Sequence, residues 1–210
     1  MSHPSDPSSL VLHLVKLKGV ASPATVAAAC GLGGAEVSAL LDDLAACGLV
    51  QHPRGRSEWA LTAVGHKEHA TRMAEELEAS ACRPTIEDAY RRFLELNPEL
   101  LAVCTAWQLH DGGAGLVAND HTDAGYDRAV VERLSRVHHQ VGPIVDDLGA
   151  CLERFCRYGP RLGAALDRVL AGDTEWFTRP LIDSYHSVWF ELHQDLLDTL
   201  GIERGTERTA

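Results

Sequence analysis

From Leu10 to Val20 the run LVLHLVKLKGV places Leu10, Val11, Leu14, Val15 and Leu17 on one stripe of a helix, while Lys16 and Lys18 point elsewhere. Ser22 and Pro23 supply the cap and first-turn proline of a second, alanine-rich helix, PATVAAAC, which Gly31 stops. After the Gly31-Leu32-Gly33-Gly34 turn, Val37, Leu40, Leu41 and Leu44 recur at core spacing from Ala35 to Cys47, and Gly48 ends this third helix. The period then changes. LVQHP and EWALT alternate like two short strands around a basic tip, Arg54-Gly55-Arg56, and Thr62 caps a fourth helix that runs to Ser80.

Beyond residue 65 no strand is expected. Cys82-Arg83-Pro84-Thr85 is expected to break the fourth helix, with Thr85 capping the next one, IEDAYRRFLEL, and Asn97-Pro98 giving a kink or a new start before ELLAVCTAWQL. His110 to Gly125 reads as a helix-poor loop, and Tyr126 to Tyr158 as helical with an interruption at Gly142-Pro143. Pro160 and Gly172 bracket a shorter helix. A final one is expected from about Arg179 to Leu200, its apolar face made by Leu181, Ile182, Tyr185, Val188, Trp189, Leu192 and Leu196. The expected class is mainly α, with a helix-turn-helix and small hairpin over residues 10–82 and a helical bundle over 83–202. Residues 1–9 and 203–210 read as disordered tails.

Helix, helix-turn-helix, hairpin and helix follow one another in the order of a winged helix. The segment from about Leu10 to Ser80 resembles the winged-helix domains of bacterial regulators of the MarR type. The LLDDL-x-x-CGLV run of Leu40 to Val50 and the L-T-x-x-G of Leu61 to Gly65 carry the likeness. The resemblance implies binding to double-stranded DNA as a homodimer, with the polar face of the third helix in the major groove. By position that face is Glu36, Ser38, Ala39, Asp42 and Asp43, and none of these can make the two-pronged arginine contact to guanine. DNA contacts are therefore expected from Arg54 and Arg56 at the hairpin tip, with Lys16, Lys18 and His52 as phosphate partners and Ser38 approaching the bases. The alternative is a winged helix that binds no DNA and serves as an adaptor or protein-docking module.

Charge narrows these readings. A net charge of −11 excludes a general nucleic-acid binder that works by overall attraction, yet residues 1–80 hold six Lys/Arg against nine Asp/Glu and leave room for a local basic patch. No apolar run approaches the roughly 20 residues of a membrane span and no leader pattern opens the chain, so a cytoplasmic protein without membrane contact is expected. Six cysteines without a C-x-x-C pair read as reduced and mostly buried.

Chemical motifs are sparse. His110, His121, His138, His139, His186 and His193 form neither H-E-x-x-H nor paired Glu-x-x-His, so no metal and no cofactor are expected. No G-x-S-x-G occurs, no G-K-[ST] follows the glycines near residue 113, and the chain is not expected to be an enzyme. Large aromatics concentrate in the C-terminal half. Either they fill the bundle, or Trp107, His110, His138, Tyr185, His186 and Trp189 line a pocket for a small apolar or aromatic effector. The combined expectation is a ligand-responsive transcriptional regulator, with the adaptor as the other reading.

Overall fold

The carboxylate of Asp6 accepts the backbone N–H of Ser9 at 2.9 Å and Pro7 fills the first turn, so helix α1 (Pro7–Lys18) begins ahead of its apolar stripe. The computed structural model describes residues 2–113 and 115–203 and shows a mainly helical chain. Among those residues are nine α-helices and two small antiparallel strand pairs. On α1, Val11, Leu12, Leu14 and Val15 are fully buried. Ser22 caps α2 (Pro23–Cys30) by accepting the Thr25 N–H at 3.1 Å, and α3 (Gly34–Ala46) leaves the glycine turn at a bend of 116°. Val26, Val37, Leu41 and Leu44 close with the α1 stripe into one core.

Strands β1 (Val50–Gln51) and β2 (Ala60–Leu61) pair antiparallel, with Val50 opposite Leu61. Ala21 and Trp59 add a separate antiparallel bridge by exchanging both backbone bonds, at 2.9 and 2.8 Å, which ties the α1–α2 connection to the hairpin. Thr62 then starts α4 (Ala63–Ser80). Its hydroxyl oxygen accepts the Gly65 N–H at 2.9 Å and its O–H donates to the Gly48 carbonyl at 2.7 Å. Gly65, His69, Met73 and Leu77, each four residues from the last, form the buried face of α4.

The remaining elements are α5 (Arg83–Gln108), a hairpin of β3 (Leu109–Asp111) and β4 (Leu116–Ala118), α6 (Ala124–Cys151), a 3-10 segment (Glu153–Arg157), α7 (Tyr158–Leu170), α8 (Glu175–Thr178) and α9 (Tyr185–Leu200). The chain divides into two compact units. The first holds the chain before Pro84, Cys151–Arg154 and the chain after His193; the second holds Pro84–Ala150 and Phe155–His193. The first unit thus includes two pieces that the sequence reading assigned to the helical domain. In the second unit Phe93 stacks on Trp189 at 4.5 Å and Trp107 on Phe177 at 4.4 Å, while Trp189 Nε1 donates to Asn97 Oδ1 at 3.0 Å.

Several expectations are corrected. Residues 2–9 are not a loose tail: His3 exchanges backbone bonds with Cys151 and Glu153, and Pro7–Ser9 belongs to α1, whereas 204–210 lie outside the described residues. The break after α4 is Ala81, at φ 55°, so α5 starts at Arg83 and Thr85 lies inside it, Pro84 being tolerated in a first turn that needs no partner for its nitrogen. Neither Pro98 nor Pro143 interrupts its helix. Each removes one helical bond, but flanking Phe93 and Leu100, or Val141 and Ile144, are buried and hold the axis. The supposed loop after His110 contains strands, because Gly113 and Gly115, at φ 82° and 141°, let the chain reverse. Helix α9 begins at Tyr185, and Leu181, at φ 68°, is fully exposed rather than on an apolar face. Only Cys104 and Cys151 are buried; Cys47 and Cys156 are exposed.

Gly65 marks the tightest junction. A Cβ there would stand 1.9 Å from the Leu49 carbonyl oxygen. Gly65→Ala is expected to lower stability by about 3 kcal/mol or more in urea unfolding. Gly142→Ala, whose added Cβ meets nothing within 4 Å in the middle of α6, should stay within about 1 kcal/mol of the parent. Equal losses at both sites would refute the close approach.

Candidate functional site

Helix α3 turns Glu36, Ala39, Asp42 and Asp43 to solvent, and Ser38 is half-buried with its hydroxyl donating to the Gly34 carbonyl at 3.0 Å. Three carboxylates and no cation therefore face outward from it. Cations appear on the hairpin. Arg54 and Arg56 are exposed on either side of Gly55, whose φ of 76° makes the turn, and the Arg56 N–H closes it on the Pro53 carbonyl at 3.0 Å. Among the described residues neither guanidinium is held in an ion pair. His52 lies against Trp59, with ring centroids 3.8 Å apart, and donates Nδ1–H to the Glu58 carbonyl at 3.1 Å. His52, Arg54 and Arg56 thus share the hairpin, with Ser38 on α3 and Lys18 half-buried at the end of α1.

Lys16 is a correction. Its ammonium binds both carboxylate oxygens of Asp198 from the last turns of α9, with only 18% and 11% of the two side chains exposed. A lysine held this way is already neutralised, so the phosphate role expected for it fails in this conformation.

Behind that pair lies a polar cluster that the sequence reading missed. His13 on α1, His69 on α4, Arg154 and Asp195 on α9 are all buried. His13 Nδ1 and His69 Nε2 are 2.8 Å apart, and the rings are parallel within 2° with centroids 5.2 Å apart. That separation is as large as the nitrogen contact permits, so the rings lie end to end and share one N–H···N bond. His13 Nε2 faces Asp195 Oδ1 at 3.1 Å. Arg154 Nη2 lies 3.5 Å from Asp195 Oδ1 and 3.5 Å from Glu76 Oε2, and donates to Thr199 Oγ1 at 2.6 Å. The Ser5 hydroxyl donates to the other Glu76 oxygen. Burial drives the His69 pKa down to about 3, and the nearby His13 ring and Lys16 ammonium push the same way, so His69 is neutral in the folded chain near neutral pH.

The expected effector residues do not converge on one opening. Trp107 packs between Phe177 and His121, both at 4.4 Å, and His110 on β3 lies 5.9 Å from Tyr126. Tyr185 and Trp189 are core residues, 0% and 2% exposed, and the Tyr185 hydroxyl meets His138 Nδ1 at 3.3 Å. His186 is half-buried, and burial lowers its pKa as it does that of His138. A cavity of about 370 Å³ lies elsewhere in this unit, lined by Val145, Asp146, Gly149, Ala150, Cys156, Gly159 and Pro160. None of the six expected residues lines it.

No protein-family model matches the chain, and no curated protein and no solved structure is significantly similar to it. Among the described residues no single helix is long and apolar enough to cross a membrane. The missed cluster left only a faint trace in the sequence: His13 inside LVLHLV, and Asp195 between Leu192 and Leu196, are lone polar residues at core-facing positions.

Because His69 is less basic folded than its ordinary value of 6.5, protonation favours the unfolded chain. Its stabilising contribution is complete above about pH 6.5 and is lost as pH falls toward 3. Urea midpoints measured from about pH 7.5 to about pH 4.5 should fall steadily for the wild type and more shallowly for His69→Gln. An identical slope in the variant would show that another group governs acid stability.

Proposed function

We propose that the protein is a ligand-responsive transcriptional regulator that binds double-stranded DNA through an N-terminal winged helix-turn-helix of the MarR kind. The order α1, α2, α3, β1, β2, α4 and the 116° bend between α2 and α3 support this reading, since two short helices meeting at 90–120° through a glycine turn are the usual helix-turn-helix form. The observation that carries it is the pair of exposed guanidinium groups at the hairpin tip, Arg54 and Arg56, which no carboxylate of the described residues neutralises. Arginine at such a tip suits a narrow minor groove, where negative potential concentrates. The acidic α3 contributes little attraction, so affinity rests on the hairpin and is doubled in a homodimer with half-sites about 34 Å apart.

In this reading the second unit provides dimer contacts and the effector response. Its cavity beside Cys156 has a volume in the range of small-ligand pockets, while the buried aromatics serve packing. Effector binding changes DNA affinity by favouring one arrangement of the dimer over another.

One observation favours a second reading, an adaptor for a basic protein partner: Glu36, Asp42 and Asp43 all face solvent while Lys16 is held by Asp198. Binding of labelled DNA from the protein's own upstream region, measured across salt, separates the two. The regulator reading expects sequence-dependent affinity whose salt slope shrinks by about 2 per protomer in Arg54→Ala/Arg56→Ala and is unchanged in Lys16→Ala. Equal affinity for random DNA would favour the adaptor.

A further inference from the structure

The cluster behind Lys16 has the chemistry of a metal site. One ring nitrogen from each of His13 and His69 and one carboxylate oxygen of Asp198 lie within 4.8 Å of one another. We propose that His13, His69 and Asp198 bind a divalent transition-metal ion of the zinc type, in exchange for the Lys16 ammonium.

Donor type selects the ion. Two imidazoles and a carboxylate suit zinc, cobalt or nickel, whereas calcium and magnesium take oxygen cages. Three helices deliver the ligands, α1, α4 and the end of α9, all within the first unit. The surroundings of His13 are those of a metal-binding histidine. Its Nε2 faces the buried carboxylate of Asp195 at 3.1 Å, and a proton on that nitrogen leaves the Nδ1 lone pair toward His69. Arg154 and Thr199 in turn hold Asp195, so the orienting group is itself fixed.

Lys16 pairs with the carboxylate that the ion would take. His13 and Lys16 lie three apart on α1, and Asp195 and Asp198 lie three apart on α9, so the two helices meet in two rungs, a buried His–Asp contact and a half-buried Lys–Asp pair. The second rung places a positive charge on the carboxylate that the metal would use. Metal binding replaces that ammonium and the N–H···N bond between the rings. His69 then carries its proton on Nδ1, so the exchange needs no net change of protonation at the rings. Two nitrogens about 2.0–2.1 Å from a tetrahedral ion lie about 3.3 Å apart, so the 2.8 Å contact opens by about half an ångström as both rings swing toward the ion. A fourth position is left for water.

The test uses the full chain after removal of metal with a chelator, titrated with Co²⁺ and, separately, Zn²⁺. Calorimetry should give one site per chain, and Co²⁺ should give the visible absorption of a four-coordinate site without thiolate charge-transfer bands. Asp198→Asn and His69→Gln should each weaken binding by about 100-fold or more. Lys16→Met should tighten it, an effect that misfolding cannot imitate, and Cys47→Ser/Cys156→Ser should leave it unchanged. Should His69→Gln fail to fold, half-buried Asp198→Asn and Lys16→Met still decide the matter. The proposal is overturned if the wild type binds neither ion, if binding follows the cysteines, or if affinity is indifferent to Asp198→Asn and Lys16→Met.

Discussion

A carboxylate with no access to water has to be answered by partners, and in the first unit that requirement governs how the chain closes. Asp195 is completely enclosed, and enclosing an ionised carboxylate costs several kcal/mol unless charge and hydrogen bonds compensate. Compensation comes from Arg154, His13 and Thr199, residues drawn from a 3-10 segment, α1 and α9. Apolar packing alone would let the end of α9 settle on α1 in several registers, because leucine contacts are not directional. The His13–Asp195 and Lys16–Asp198 rungs admit one. This is why the first unit is assembled from three separated stretches of chain rather than from its first 83 residues.

The same rungs shape the surface. Lys16 is a cation that the sequence offers to any polyanion, but Asp198 takes it out of circulation. An acidic α3 and an arginine hairpin tip both face outward, two surfaces of opposite sign within one unit. In the proposed regulator, attraction to DNA is therefore local, concentrated at the tip and effective only within about a Debye length of it. The second unit stays close to the ordinary logic of a helical bundle. Trp107, Tyr185 and Trp189 are taken up by packing, and one opening lies beside Cys156 and two glycines, where small side chains leave space.

Much of the local structure was legible because local chemistry decides it. Ser22-Pro23 and Thr62 cap the helices they were expected to cap, Gly31 ends α2 in the left-handed region, and Val37, Leu41 and Leu44 face the core. Failures cluster where a local preference was outvoted by packing. Pro98 and Pro143 stay inside long helices because buried residues on both sides hold the axis, and Leu181, apolar in type, lies on an exposed turn. Of the candidate site, the hairpin arginines were legible from the tip they flank. The histidine cluster was not, since His13, His69 and Asp195 are scattered across 182 positions between the first and last of them.

By itself the sequence determined the helical class, the caps, the core stripes and the basic tip, because each depends on residues within a few positions of one another. Tertiary structure alone decided which polar side chains meet inside the first unit, which lysine is neutralised, and which aromatics are spent on packing. Those outcomes depend on contacts between distant segments, whose free energy comes from shared burial and has no counterpart in any short window of sequence.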